Sequence, residues 1–240
     1  MNRILVALDV PAEADALALA DRLRGAVGGF KVGLQLFTAA GPAFVRTLVE
    51  RGDRVFLDLK FHDIPNTVAG AVASATDLGV WMLNVHAAGG AAMLEAARRA
   101  ADARAAERRL PRPLVIAVTV LTSLDQAALR ATGVPASPLD HAVHLAGLAK
   151  AAGLDGVVAS PQETAQIRRA CGDGFAIVTP GIRGGSAASG SDDQKRTMSP
   201  AEAVAAGSSY LVVGRPITGA ADPREAALRI AAECRSATSP

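Results

Sequence analysis

The sequence predicts a single-domain (β/α)8 barrel, the TIM-barrel fold, with eight parallel strands that alternate with eight helices. Short apolar runs and longer Ala- and Leu-rich amphipathic segments alternate eight times along the 240 residues, and barrels of this kind have about this size. The apolar runs are continuous, which is typical of parallel strands covered on both faces. Without a linker or low-complexity segment, we expect one domain over residues 1–240. A doubly wound open sheet is the alternative fold.

Each predicted strand is a short, mostly apolar run. In chain order, the predicted strands are 3–9, 29–33, 54–58, 81–86, 114–119, 155–159, 175–178 and 210–213.

Proline and glycine mark the ends of the intervening helices. The predicted helices are 12–25, 38–51, 65–78, 90–108, 139–152, 161–170, 200–206 and 223–237. Four of them have a proline in the first turn, where its missing N–H breaks no hydrogen bond; these are Pro65, Pro161, Pro200 and Pro223. Five have a glycine near the C-terminal end, where a left-handed cap favours this residue; these are Gly25, Gly52, Gly79, Gly153 and Gly207.

Composition excludes several classes of protein. The chain has 25 Lys+Arg and 23 Asp+Glu, a formal net charge of +2, so we expect neither a nucleic-acid partner nor an anionic membrane surface. No apolar run approaches the ~18 residues of a membrane span, and Asp9 interrupts the N-terminal run too early for a signal peptide. Two widely spaced cysteines, Cys171 and Cys234, predict free thiols in a reducing cytoplasm and no cysteine-based metal site.

Acidic and basic side chains stand in or just beyond the C-terminal parts of the first three predicted strands, at the end of the barrel where active sites lie. They are Asp9, Lys31, Asp58, Lys60 and Asp63. A structural ion-pair network would account for one such pair, but alternating charges from three strands favour a reaction centre.

The basic residues of this charge array are lysines, which suits them to proton transfer. Only four of the 25 basic residues are lysines, and lysine, unlike arginine, readily gives up a proton. A carboxylate beside a lysine keeps it protonated as a proton donor. The same carboxylate would repel a substrate carboxylate until that group leaves as neutral CO₂.

The loops after the seventh and eighth strands predict a phosphate site, which barrels commonly build there. Gly214 and Arg215 follow the eighth strand, and arginine can bind a phosphate through two hydrogen bonds. The Gly- and Ser-rich segment 181–197 lies beside them in the predicted barrel. We expect this segment to be a lid that closes on the ligand and brings Gln194 to the phosphate, and an ordinary surface loop is the alternative.

The run DLKFHDIPNT at residues 58–67 carries a resemblance to a known family. Together with ALDV (7–10), FKVG (30–33), NVHA (84–87), VTVLTS (118–123), TPGIR (179–183) and VVGRPIT (212–218), it resembles the bacterial type of orotidine 5′-phosphate decarboxylase over essentially the whole chain. The resemblance implies conversion of orotidine 5′-phosphate to UMP and CO₂, the last step of de novo pyrimidine nucleotide synthesis. It implies no metal and no organic cofactor.

The resemblance also implies roles for the charged residues. Lys60 would protonate the C6 carbanion that remains after CO₂ leaves, and Asp58 would lie beside the departing carboxylate. Asp63 would complete a charge network Lys31-Asp58-Lys60-Asp63. Asp9 and Lys31 would contact the ribose hydroxyls.

The remaining implied contacts concern the base, the phosphate and a second subunit. Thr122 and Ser160 would face the pyrimidine or its surroundings. The phosphate would bind to four residues: Arg183, Gln194, Gly214 and Arg215. Asp63, Ile64 and Thr67 would reach the neighbouring subunit's site, so the active unit would be a homodimer. The segment between Arg183 and Gln194 is slightly longer than is usual in the family.

Two other functions fit parts of the pattern. Mg²⁺-dependent sugar-phosphate decarboxylases and hexulose-phosphate synthases share the D-x-K-x-x-D motif, but are expected to carry a glutamate ligand where this chain has Lys31. An ammonium group there would repel the ion and replace an oxygen ligand. A non-catalytic phosphometabolite-binding barrel is the other alternative, although such a relative would be expected to have lost one of the charges.

Overall fold

Eight parallel strands close into a barrel in which each strand pairs with the next and the eighth returns to the first. The structure is a computed structural model that describes residues 2–182 and 198–237. The strands are β1 (Ile4–Ala7), β2 (Gly29–Gly33), β3 (Val55–Phe61), β4 (Met82–His86), β5 (Leu114–Val118), β6 (Gly156–Val158), β7 (Ala176–Thr179) and β8 (Tyr210–Val213). The predicted (β/α)8 barrel is confirmed.

The helices pack around this barrel. They are α1 (Glu13–Leu23), α2 (Leu34–Glu50), α3 (Pro65–Thr76), α4 (Ala91–Arg108), α5 (Gln126–Ala131), α6 (Pro138–Ala151), α7 (Thr164–Cys171), α8 (Pro200–Ala205), α9 (Arg215–Thr218) and α10 (Pro223–Ser236). The short helices α5 and α9 and a 3-10 turn at Ala87–Gly89 were not predicted. Across residues 2–182 and 198–237, no helix combines the length and hydrophobicity that crossing a membrane requires.

The strands are apolar on both faces because each face packs against a separate cluster. Alternate residues point into the barrel, where they form a small inner cluster: Leu5, Ala7, Phe56, Met82, Ile116, Val178 and Val212. The intervening residues pack outward against the helices. At the N-terminal end of the strands, the rings of Trp81 and Tyr210 meet edge to face at 5.1 Å, and the Arg54 guanidinium lies 4.0 Å from the Trp81 ring centre.

The helix-end predictions are confirmed with one exception. All five glycines named for helix C-termini have positive φ angles, and Pro65, Pro200 and Pro223 stand in first turns. The prediction for Pro161 is wrong, because α7 begins only at Thr164. A side chain holds the preceding turn: Glu163 Oε2 accepts the Ser160 N–H at 3.0 Å.

Two element boundaries near the C-terminal end of the barrel differ from the prediction. Helix α2 begins at Leu34, four residues earlier than predicted, and is interrupted at Gly41, whose φ is 70°. Strand β3 continues past Asp58 to Phe61. Its pairing with β4 shifts on the way, since Leu57 pairs with Leu83 but Phe61 with Val85. Four residues of β3 therefore advance against two of β4 (61 − 57 and 85 − 83), a bulge of two extra residues.

Candidate active site

A cavity of about 540 Å³ opens at the C-terminal ends of the strands, within the ~300–1,000 Å³ range of small-molecule sites. The structure places seven of the sequence-predicted residues on its wall: Asp9, Lys31, Asp58, Lys60, Thr122, Gly214 and Arg215. They come from the ends of β1, β2, β3 and β8 and from the loop after β5. The barrel thus brings together residues that are up to 206 positions apart in the chain (215 − 9).

Four charged side chains alternate in sign along the cavity floor. Lys31 Nζ lies 3.0 Å from Asp9 Oδ1 and 3.6 Å from Asp58 Oδ2. Lys60 Nζ donates a hydrogen bond of 2.7 Å to the other oxygen of Asp58, Oδ1. Asp58 therefore contacts both ammonium groups, and its side chain is only 13% exposed.

The two lysines determine the charge state of Asp58. Burial alone would raise the pKa of this carboxyl. The positive charges of Lys31 and Lys60, with hydrogen bonds from Lys60 and Asn84, outweigh burial and hold the pKa of Asp58 below its ordinary value. Asp58 is therefore ionised at neutral pH and presents a fixed negative charge inside the cavity.

The bulge in β3 gives Asp58 and Lys60 their places. Phe56, Asp58 and Lys60 all line the cavity, so both charged side chains lie on the inner face of β3. Lys60 has a φ of 52°, a left-handed conformation that costs a non-glycine residue roughly 1–2 kcal/mol. Catalytic and binding sites are where such strained residues tend to occur.

The sequence analysis missed Asn84, which is fully buried on β4. Its side chain bonds to both residues of the pair: Oδ1 accepts the Lys60 N–H at 2.8 Å, and Nδ2 donates to Asp58 Oδ1 at 2.7 Å. A signal was available, because Asn84 is an amide within an apolar strand and belongs to the NVHA motif.

Asp63, Ile64 and Thr67 lie at the rim and are exposed. Asp63 Oδ1 accepts the Ile64 N–H at 2.6 Å, and among the described residues it forms no ion pair with Lys60. The charge chain within one subunit is therefore Asp9-Lys31-Asp58-Lys60, and the place of Asp63 in a Lys31-Asp58-Lys60-Asp63 network stays a prediction that depends on a second subunit.

The other predicted residues have different positions. Ser160 is fully buried and is not among the described residues that line the cavity; its hydroxyl accepts the Gln162 N–H at 3.4 Å. Arg183, Gln194 and nearly all of the predicted lid 181–197 lie outside the described residues. Their contacts with a phosphate stay predictions.

Two histidines, His62 and His86, lie near Lys60. The rings of His62 and His86 stack with centroids 5.1 Å apart. Burial, with the nearby His62 and Lys60, lowers the pKa of His86 below its ordinary value. His86 is therefore neutral at pH 7, and its Nδ1 accepts the Ala88 N–H at 3.4 Å.

The described part of the chain offers no group of side chains suited to binding a metal ion. Across residues 2–182 and 198–237, no three His, Cys, Asp or Glu side chains cluster in a way that could hold a metal ion. The Lys31 ammonium contacts the carboxylates of both Asp9 and Asp58.

Known proteins share both the sequence and the fold of this chain. Residues 2–230 match the model of the orotidine 5′-phosphate decarboxylase / HUMPS family. The chain is 59% identical to orotidine 5′-phosphate decarboxylase of Moorella thermoacetica over 233 residues, 97% of this chain and 92% of that protein. It is 56% identical to the protein of the same name from Alkalilimnicola ehrlichii, over 97% of this chain and 96% of that protein.

Solved structures of proteins with the same name share the fold of this chain. Orotidine 5′-phosphate decarboxylase from Lactobacillus acidophilus superposes with a TM-score of 0.85 at 36% identity, over 98% of this chain and 99% of that one. The protein of the same name from Pyrococcus horikoshii gives a TM-score of 0.77 at 27% identity, over 97% and 99% of the two chains. The chain thus belongs to the orotidine 5′-phosphate decarboxylase / HUMPS family.

Proposed function

We propose that this protein is a carboxy-lyase that converts orotidine 5′-phosphate to UMP and CO₂, the final step of pyrimidine nucleotide biosynthesis. The observation that carries the proposal is the ionised Asp58 held 2.7 Å from the Lys60 ammonium on the wall of a nucleotide-sized cavity. The names of relatives up to 59% identical support the same substrate.

The proposed chemistry uses the two charges of this pair in sequence. The substrate carboxylate lies beside Asp58, where like charges repel, and the repulsion ends when the C6–carboxyl bond breaks and neutral CO₂ departs. The bonding electron pair stays on C6. Lys60 transfers a proton from Nζ to this carbanion and is reprotonated from solvent. The hydrogen bond of 2.7 Å from Lys60 Nζ to Asp58 Oδ1 holds the proton donor beside the departing carboxylate when the bond breaks.

The remaining residues are assigned to binding. Asp9 and Lys31 bind the ribose hydroxyls, Thr122 faces the pyrimidine, and Gly214 and Arg215 bind the phosphate. Arg183 and Gln194 would complete the phosphate site from the lid, and Ser160 would support the pyrimidine side from its buried position.

The position of Lys31 favours a metal-free reaction over the Mg²⁺ chemistry of hexulose-phosphate synthases. Its ammonium group lies 3.0 Å from Asp9 Oδ1 and 3.6 Å from Asp58 Oδ2, so a divalent cation between these carboxylates would meet a positive charge. We therefore propose that neither a metal nor an organic cofactor takes part.

We further propose that the active unit is a homodimer in the cytoplasm. Ile64, a large apolar residue, is 67% exposed at the rim beside Asp63, and a partner subunit would cover it while receiving Asp63 and Thr67 in its site. Cys171 and Cys234 are buried free thiols, which suits a reducing compartment.

Loss of orotidine 5′-phosphate absorbance, followed with purified protein in excess EDTA, tests the substrate and the metal independence together. We expect conversion to UMP, and no conversion by a folded Lys60→Ala variant. No conversion in EDTA, with turnover of a sugar phosphate once Mg²⁺ is added, would place the chain with the metal-dependent members of the family.

A further inference from the structure

The amide of Asn84 links the two residues of the proposed reacting pair. It lies on the inner face of β4, two residues beyond Met82, and no part of it is exposed. A polar group buried to this degree is costly unless its hydrogen bonds are made. Its two hydrogen bonds go to a backbone N–H and a carboxylate of the same bulge in β3.

The geometry of the bulge requires such a group. Between Leu57 and Phe61 the regular pairing of β3 with β4 is lost, and Lys60 takes up a left-handed backbone conformation with φ 52°. Its N–H donates to Asn84 Oδ1 at 2.8 Å. This bond fixes the peptide that precedes Lys60, and with it the direction in which the lysine side chain leaves the backbone.

A side-chain amide suits both contacts because it offers one acceptor oxygen and one donor nitrogen. Oδ1 must accept from an N–H, and Nδ2 must donate to the ionised Asp58, so the amide has a single orientation in which both bonds form. A carboxylate could accept from Lys60 but would repel Asp58. An aliphatic side chain of the same size could do neither.

We propose that Asn84 is a positioning residue that holds Asp58 and Lys60 in register with each other, so that the Lys60 ammonium reaches the carbon that Asp58 faces. The proposal rests on the proposed function, in which Lys60 is the proton donor. Asn84 acts through these two side chains and has no assigned contact with the substrate.

Kinetics of Asn84→Leu provide the first test. We expect kcat to fall about 100-fold, the effect of misplacing a reacting group by about 1 Å, with KM within about threefold because the binding residues remain. Thr119→Val is the matched control, since Thr119 is buried directly after β5 and donates one hydrogen bond of 3.0 Å to the Val158 carbonyl. A kcat for Asn84→Leu within about threefold of this control would overturn the proposal.

The pH profile of Asn84→Asp separates positioning from general loss of packing. The groups around position 84 are Asp58, Lys60 and the second lysine of Asp58, Lys31, with His86 and His62 beyond. Two adjacent carboxylates repel each other, so the pair takes up one proton at a higher pH than a single carboxylate does. A proton shared between the new carboxylate at position 84 and Asp58 would restore a hydrogen-bond donor toward Asp58. We expect the kcat of Asn84→Asp relative to wild type to rise as the pH falls from 8 to 6, while the ratio for Asn84→Leu stays level. Parallel profiles for the two variants would contradict the proposal.

A measurement without substrate completes the test. The chain has only four lysines, Lys31, Lys60, Lys150 and Lys195, so ¹³C-lysine labelling gives four ε-carbon signals, and Lys60→Arg identifies the one from Lys60. Asn84→Leu and Asn84→Asp should each move this signal and leave that of Lys150 on α6 in place. An unmoved Lys60 signal would overturn the proposal. If the wild-type protein does not decarboxylate orotidine 5′-phosphate, the proposed function fails, and these spectra still decide whether Asn84 positions Lys60.

Discussion

Gly33 makes room for the ammonium group of Lys31. The two residues are neighbours on the inner face of β2, and a Cβ on residue 33 would come within 2.8 Å of Lys31 Nζ and 3.4 Å of Asp9 Oδ1. The ion pair between Lys31 and Asp9 therefore occupies space that only glycine leaves free at this position.

Gly33→Ala should impair activity while the barrel stays folded. The added methyl group meets the end of a flexible side chain, so Lys31 can move, and the unfolding free energy should change by less than about 1 kcal/mol. The displaced ammonium loses its place between Asp9 and Asp58, and kcat/KM should fall about 10- to 100-fold. Gly147→Ala on α6 is the control, because its Cβ would meet no atom within 4 Å. Equal activity of the two variants would show that the position of Lys31 is unimportant.

Lys60→Arg should be nearly inactive although the charge is kept. Guanidinium is a very weak acid, and loss of a general acid costs about 10²–10⁴ in kcat. Binding of UMP, measured by calorimetry, should stay close to that of wild type. Lys150→Arg, on the remote helix α6, serves as the control. Near-normal turnover by Lys60→Arg would remove Lys60 as the proton donor.

Asp58 should add to the free energy of unfolding as the pH rises from acid values. Its pKa is lowered in the folded protein because the charges of Lys31 and Lys60, with hydrogen bonds from Lys60 and Asn84, outweigh burial. Its ionised form therefore adds stability that is complete above the unfolded pKa of about 4 and is lost as the pH falls through the lower folded pKa.

Urea unfolding of wild type and Asp58→Asn between pH 3 and 6 measures this contribution. The difference in unfolding free energy should shift in favour of wild type as the pH rises to about 5, with a slope of at most about 1.4 kcal/mol per pH unit, and then level off. Asp155→Asn is the reference variant. Its difference in unfolding free energy from wild type should change with pH in the same direction, and its activity should stay intact. At Asp155, which lies outside the cavity, the Arg112 and Val115 hydrogen bonds outweigh burial and lower the pKa. A difference for Asp58→Asn that does not change with pH would contradict this account.

Arg215→Ala should discriminate between substrates with and without a phosphate. For orotidine 5′-phosphate, kcat/KM should fall about 10- to 100-fold, the value of one charge-assisted hydrogen bond of about 1.5–3 kcal/mol. For orotidine, which has no phosphate, the change should stay within about threefold. Equal losses on the two substrates would mean that Arg215 acts on the pyrimidine end or on folding.

Mixed dimers test whether Asp63 serves the neighbouring subunit. Lys60→Ala and Asp63→Ala chains are each expected to be inactive. Unfolded and refolded together in equal amounts, they should recover about a quarter of wild-type activity, since half the dimers are mixed and one of the two sites in each has both residues. Lys60→Ala with Asp58→Ala is the control and should recover nothing, because Asp58 and Lys60 belong to one chain's site. Equal recovery in both mixtures, or none in the first once mixed dimers are detected, would count against a shared site.

The strands and most of the charged site could be predicted from sequence because their signals are local. Continuous apolar runs mark the strands, and charges toward or just past their C-terminal ends, such as Lys31 in β2 and Asp9 after β1, stand at one end of any closed parallel barrel. The short helices α5 and α9 escaped prediction because six and four residues are too few to show a helical period. The turn at Pro161 depends on the Glu163 side chain, which competes with the first turn of a helix.

The bulge in β3 could not be predicted, because it is a relationship between two strands. Nothing within residues 55–61 says that Leu57 and Phe61 pair with residues only two apart on β4. The left-handed backbone of Lys60 and both partners of Asn84 depend on that register. The sequence thus pointed to Asp58 and Lys60, which the structure places together in the cavity, but not to the amide that links them.

The bulge also determines which residues would have to be transferred in order to build the Asp58–Lys60 pair into another barrel. An Asp-x-Lys tripeptide grafted onto a regularly paired strand would lack the two extra residues, and its lysine would lack the amide that receives its N–H. Deleting a single residue between Leu57 and Phe61 would turn Asp58 or Lys60 toward the helices, whereas a substitution at Leu59, which packs outward, leaves both in place. The transferable unit is therefore residues 57–61 of β3 together with Asn84 of β4, and its chain length is constrained more strictly than its side chains.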